Sequence, residues 1–150
     1  MRKALFPGSF DPFTKGHEDI VRRSLLLFDE VVVAIGNNSN KQRYFSLDLM
    51  KAKIESTFAG DPRVSVKVFQ GLTAEFARQE QAGFIVRGLR NTTDFEYENS
   101  ISQANHHVNP GIETVFLITT PGLSAITSTI VRDLHRYGAS VDDFLPYALS

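Results

Sequence analysis

The chain has 150 residues, 16 lysines and arginines against 17 aspartates and glutamates, a formal net charge of −1 and no cysteine. Such a length suits one domain spanning 1–150 with its own core, and the absence of cysteine excludes disulfides and thiolate metal sites. The near-balanced charge offers no global attraction to nucleic acid, and the apolar run after Arg2 and Lys3 breaks at Pro7, too early for a signal peptide or membrane span, so a soluble cytoplasmic protein is expected.

Ala4-Leu5-Phe6 reads as a short buried strand stopped by Pro7-Gly8. An amphipathic helix beginning near Gly16 follows, with Ile20, Val21, Leu25 and Phe28 on one face. Val31 to Ile35 is a continuous apolar run, the pattern of a central parallel strand covered on both sides. Asn37 to Tyr44 is polar and turn-forming. Ser46 caps a helix carrying Leu47, Met50, Ile54 and Phe58, which ends at Gly60-Asp61-Pro62. Val64, Val66 and Val68 alternate with polar residues, which predicts a half-exposed strand near an edge. Gly71 precedes a helix through Phe76 and Ala77, and Gly83 opens a strand, Phe84-Ile85-Val86, that runs into Arg87-Gly88-Leu89-Arg90. Thr92 or Thr93 is the expected cap of a longer helix bearing Phe95, Tyr97, Glu98 and Ile101. His106 and His107 fall at that helix's end, where cationic residues complement the dipole. Val115 to Ile118 is a fifth strand, and a final helix aligns Ile130, Leu134 and Tyr137.

This alternation predicts an α/β, Rossmann-like fold with a five-stranded, mainly parallel sheet and helices on both faces. With strand order 3-2-1-4-5, the loops after strands 1 and 4 face one crevice at the carboxyl ends of the strands, where ligands bind in such sheets.

The stretch Pro7 to His17 is the candidate phosphate site. It joins a strand to a helix start, and the unpaired N–H groups and positive dipole end of that start favour an anion before any side chain contributes. It is neither a P-loop nor a GxGxxG turn. Arg87 and Arg90 flank Gly88-Leu89 at a strand end, where a guanidinium fork matches phosphate oxygens. Lys41 lies in the polar loop after the second strand, and Ile126-Thr127-Ser128-Thr129 opens the last helix with hydroxyls and amides that form a second anion-binding helix start. No carboxylate cluster reads as a metal cage.

Thr14-x-Gly16-His17 is the T-x-G-H motif of the nucleotidyltransferase superfamily. With Pro7-Gly8-Ser9-Phe10-Asp11-Pro12 before it, Arg87-Gly88-Leu89-Arg90 and Phe95-Glu96-Tyr97-Glu98, the chain closely resembles the bacterial phosphopantetheine adenylyltransferase family from Phe6 to Phe144-Leu145-Pro146. The resemblance implies transfer of the adenylyl group of ATP to 4′-phosphopantetheine, with Mg²⁺, a homohexameric assembly and coenzyme A as a feedback ligand. It implies His17 as the catalytic residue. It assigns ATP to Ser9, Phe10, His17, Gly88, Leu89, Arg90, Glu98 and the segment Leu123, Ser124, Ala125, Ile126, Thr127, Ser128, Thr129. It assigns the acceptor to Ser9, Lys41, Thr73 and Arg87, with Leu72 also lining the pantetheine arm. Two departures stand out: I-T-S-T replaces the usual I-S-S-S or I-S-S-T, and Leu123 replaces an aromatic residue. A sister nucleotidyltransferase with another acceptor, and a non-catalytic nucleotide sensor, are the alternatives.

Overall fold

A computed structural model describes residues 1–37 and 42–149. Five strands, β1 (Lys3–Gly8), β2 (Glu30–Gly36), β3 (Val64–Phe69), β4 (Phe84–Leu89) and β5 (Glu113–Ile118), alternate with α1 (Lys15–Ser24), α2 (Leu47–Thr57), α3 (Thr73–Gln79) and α4 (Thr92–Val108), and α5 (Ser128–Arg136) follows. The sheet order is β3-β2-β1-β4-β5 and every pairing is parallel. The expected order and the edge position of β3 therefore hold. Among the described residues no helix is long and apolar enough to cross a membrane.

The strand alternation splits the core into two layers. Ala4, Phe6, Val31, Val33 and Val86 pack with Ile20 and Val21 of α1 and with Met50 and Ile54 of α2. Leu5, Val32, Ala34 and Ile85 face the other way, against Ala77 of α3 and Ile112. Helices therefore cover both faces, as a parallel sheet requires. Ser46 caps α2 by accepting the Leu49 N–H at 3.1 Å, and Gly71, at φ +89°, makes the left-handed turn before α3.

Three local expectations need correction. Pro7 does not stop the first strand, which continues through it to Gly8, with Pro7 opposite Ala34 of β2. A proline fits because β1 pairs with β4 only at Ala4 and Leu5, so no ladder on that side needs a Pro7 N–H. The cap of α4 is Asn91 rather than Thr92 or Thr93, its side chain accepting the Asp94 N–H at 2.8 Å. In α5 Leu134 packs inward as expected, but it does so beside the buried Val131, against Val141 and Leu145, whereas Ile130 and Tyr137 are exposed, because this short helix meets the rest of the chain along one narrow stripe.

The early parting of β1 from β4 opens the crevice. β1 keeps six register pairs with β2 but two with β4, while β4 stays paired with β5 as far as Leu89 and Ile118. The turn after β1 enters this gap, and Gly8 lets it pass: a Cβ there would lie 2.9 Å from two ring atoms of Phe10. Gly36, at the end of the neighbouring β2, is one residue beyond Ile35, the register partner of Gly8, and a Cβ there would make only ordinary contacts, the nearest 3.6 Å from Phe69. Gly8→Ala is therefore expected to destabilise by about 1–3 kcal/mol through overpacking, lowering Tm by roughly 2–4 °C per kcal/mol, with Gly36→Ala near neutral. Calorimetry checks the pair, and equal melting temperatures for both variants would contradict the packing account.

Candidate active site at the carboxyl ends of β1 and β4

The turn after β1 is held by a capping box. Thr14 accepts the His17 N–H through its hydroxyl, and His17 Nδ1 accepts the Thr14 N–H at 2.9 Å. A ring nitrogen that accepts from an amide carries no proton, so this bond fixes the tautomer and leaves Nε2–H as the imidazole's donor. The ring packs among Phe6, Phe10 and Phe13, with centroids 5.0–6.2 Å away. Burial, and then the charges of Arg87 and Arg90, lower its pKa from 6.5 to about 3. His17 is thus a neutral donor in the crevice it lines.

The backbone around it follows a rule. From Pro7 to Phe13, six carbonyls accept side-chain hydrogen bonds from other parts of the chain. Pro7 O accepts from Arg87, Ser9 O from Arg43 at 2.6 Å, Phe10 O from Arg43 at 2.9 Å and Asp11 O from Arg132 at 2.7 Å. Pro12 O accepts from the Ser128 hydroxyl at 2.8 Å and Phe13 O from the Tyr147 hydroxyl at 2.6 Å. Burial raises the Tyr147 pKa, which keeps that phenol protonated as a donor. Carbonyl oxygens repel an anion, and these donors keep six of the seven carbonyls of this turn occupied.

Across the crevice, Arg87 and Arg90 are each engaged by a carboxylate of α4. Arg87 Nε and Nη2 donate to Glu98 at 2.8 and 2.6 Å. Counting its bond to Pro7 O, Arg87 spends three of its five N–H groups and keeps two for a ligand. Arg90 donates through its backbone N–H and through Nε to Asp94, each at 3.0 Å, and this holds the Asp94 carboxyl below its ordinary range. Of the residues this helix carries, Glu98 is buried while Phe95, Tyr97 and Ile101 are exposed. The Arg87 ion pair draws the glutamate inward.

The crevice brings together Ser9, Phe10, His17, Gly88, Arg90 and Glu98 with Leu123, Ile126, Thr127, Ser128 and Thr129, and Arg87 stands between it and a second groove. Thr127 caps α5, accepting the Ile130 N–H at 3.1 Å. Leu89, Ser124 and Ala125 are not among its lining residues. Phe10 enters through backbone, since its ring is buried in the core at a positive φ of 46°. Thr73 lies in the second groove, with Phe69, Tyr97, Ile101 and Asn105; Leu72 is exposed at the α3 cap. Lys41 lies outside the described residues. The sequence reading missed Asp94, Arg43, Arg132 and Tyr147. Asp94 had a signal, four residues after Arg90 and in the first turn of a helix; the others act at long range and had none.

Because folded His17 titrates near 3 and an unfolded histidine near 6.5, the unfolded chain binds more protons between those values. This residue's contribution to stability is therefore fully present above about pH 6.5 and is lost as pH falls toward 3. NMR of the imidazole should show no titration of His17 between pH 5 and 8 and an Nε2-protonated tautomer. A midpoint near 6.5 would contradict the buried, arginine-flanked site.

Three comparisons bear on this geometry. Residues 5–134 match the family model described as cytidylyltransferase-like. A protein named phosphopantetheine adenylyltransferase from Cytophaga hutchinsonii is 63% identical over 97% of each chain, and one of the same name from Flavobacterium johnsoniae is 51% identical over 99% of this chain and 97% of its own. A bifunctional NMN adenylyltransferase/ADP ribose pyrophosphatase from Francisella tularensis superposes with a TM-score of 0.74 at 17% identity, a likeness of fold; the match takes in 97% of this chain and 45% of that one. By sequence and by fold, the chain belongs to the cytidylyltransferase-like family of nucleotidyltransferases, within the phosphopantetheine adenylyltransferases.

Proposed function

We propose that this chain transfers the adenylyl group of ATP to 4′-phosphopantetheine, giving dephospho-coenzyme A and pyrophosphate, in the cytoplasm. The observation that carries the reading is the meeting of two cavities. The crevice around His17 and the groove around Thr73 share Pro7, Gly8, Ser9 and Arg87 as a common wall. A two-substrate phosphoryl transfer needs its two phosphates to meet at such a wall, and Ser9 and Arg87 carry the donors for it.

In this reading a phosphate oxygen of the acceptor attacks the α-phosphorus of ATP in line. The bond from that phosphorus to the oxygen bridging to the β-phosphate breaks, and pyrophosphate leaves with the electron pair. The nucleophile is already an anion, so positioning and charge stabilisation supply the catalysis. His17 Nε2–H donates to the α-phosphate as charge builds there. The two remaining N–H groups of Arg87 hold the acceptor phosphate with Lys41, and Thr73 lines the pantetheine arm. Gly88, Leu89, Arg90 and Glu98 take the nucleoside side, and the α5 start with Leu123–Thr129 takes the β- and γ-phosphates.

Mg²⁺ enters as the ion that accompanies ATP. Asp94 and Glu98, the carboxylates lining the crevice, are occupied by Arg90 and Arg87, and no group of three or more metal-binding side chains occurs among the described residues. The residues present do not fit a resident cage, and no step is assigned to the ion. Coenzyme A, combining both substrate halves, is a candidate feedback ligand across the same two cavities. The exposed Phe95 and Ile101 of α4 and Ile118 on edge strand β5 support assembly with further copies, which we take as the homohexamer; light scattering checks it.

The test is pyrophosphate release with ATP and Mg²⁺ across three acceptors: 4′-phosphopantetheine, nicotinamide mononucleotide and glycerol 3-phosphate. Release is expected with phosphopantetheine alone. Release with another acceptor would overturn the substrate and keep the reaction. Nucleotide binding without release from any would favour the sensor.

A further inference from the structure

The segment just before α2 is tied to the turn after β1 by the Arg43 side chain and by two backbone N–H groups. Arg43 spans two consecutive carbonyls, Nη1 donating to Ser9 O at 2.6 Å and Nη2 to Phe10 O at 2.9 Å, while Nε donates to Phe45 O of its own segment at 3.1 Å. Asp11 returns the contact, its two carboxylate oxygens accepting the Tyr44 and Phe45 N–H groups at 2.9 and 2.8 Å. The Arg43 side chain is 14% exposed and lies 3.9 Å from the Asp11 carboxylate. Burial lowers the Arg43 pKa while the Asp11 charge opposes that shift.

The residue under this fork is Phe10, a non-glycine residue at φ +46°. Left-handed backbone at a bulky residue persists only where the surroundings impose it. Here the ring is fixed on one side, 3% exposed among Phe6, Phe13 and His17, and the carbonyl on the other. Since the Phe10 ring also packs edge-on against the imidazole of His17 at 5.0 Å, the conformation of residue 10 and the placement of His17 are set together.

We propose that Arg43 is a positioning residue for adenylyl transfer: its guanidinium clamps the Ser9–Phe10 carbonyls outward, and so sets both the turn that receives ATP and the imidazole beside it. The consequence for the reaction rests on the function proposed above, whereas the clamp itself does not. Lysine cannot replace it, because one ammonium on a flexible stem cannot bridge two carbonyls with a planar fork.

The test compares wild type, Arg43→Ala, Arg43→Lys and Arg43→Gln, each with its kinetics, its Tm and hydrogen exchange of the peptide covering residues 8–13. Arg43→Ala and Arg43→Lys are both expected to exchange this peptide at least about tenfold faster and to lose about 10- to 100-fold in kcat, the scale of a displaced reacting geometry. Guanidinium ion at millimolar concentration is expected to restore part of the kcat of Arg43→Ala and none of that of Arg43→Gln, whose side chain fills the space. If Arg43→Ala does not fold, the Lys and Gln variants decide. Wild-type exchange and kcat in Arg43→Lys would overturn the proposal, as would a lowered Tm with both unchanged. A wild type that turns over no phosphopantetheine would defeat the proposed function alone, since the exchange comparison still decides the clamp.

Discussion

The active crevice depends on where the backbone carbonyls of one turn are sent. Between Pro7 and Phe13 six carbonyl oxygens are taken by Arg43, Arg87, Arg132, Ser128 and Tyr147. These five donors come from four parts of the chain: the segment before α2, strand β4, helix α5, which supplies both Ser128 and Arg132, and the C-terminal segment. A buried carbonyl must be paired, and under the proposed function a turn that receives phosphate cannot pair its carbonyls with the ligand. Much of the chain outside the sheet is thus organised to satisfy seven residues, and the sheet contributes the gap between β1 and β4 into which they fit.

Electrostatics in the crevice are more restrained than a count of arginines implies. Arg87 and Arg90 meet Glu98 and Asp94 on successive turns of α4, so neither guanidinium is a bare charge, and in the proposed reaction a phosphate would share or exchange a partner. Such pairing orients the guanidinium groups, and losing Arg87 would leave the buried Glu98 carboxylate without its partner. Burial, and after it the charges of Arg87 and Arg90, keep His17 neutral. A neutral imidazole with a fixed Nε2–H donates to an anion without first forming an ion pair that would hold the ground state as tightly as the transition state.

Most of the fold was legible in the sequence, because apolar runs mark β1, β2, β4 and β5, turn residues and helix caps mark the ends of elements, and the parallel order follows from the alternation of strands and helices. The elements that slipped are those decided by distant partners. Pro7 reads as a strand stop, yet the strand continues because β4 has already turned away there. Glu98 reads as one polar residue among the apolar Phe95, Tyr97 and Ile101, yet Arg87 buries it. Motif residues Ser9, His17, Arg87 and Arg90 could be found from local pattern and family likeness. Arg43, Arg132 and Tyr147 could not, since a donor to a carbonyl more than thirty positions away leaves no trace in spacing.

The central claim, that a neutral His17 acts on the α-phosphate in the transition state, is tested most directly by single-turnover adenylyl transfer alongside ATP affinity, in wild type and His17→Ala. The account predicts a transfer rate lower by about 10²–10³, the scale for removing one preorganised donor, with ATP affinity changed only slightly. An unchanged transfer rate with ATP affinity lost would contradict it, making His17 a ground-state binding residue.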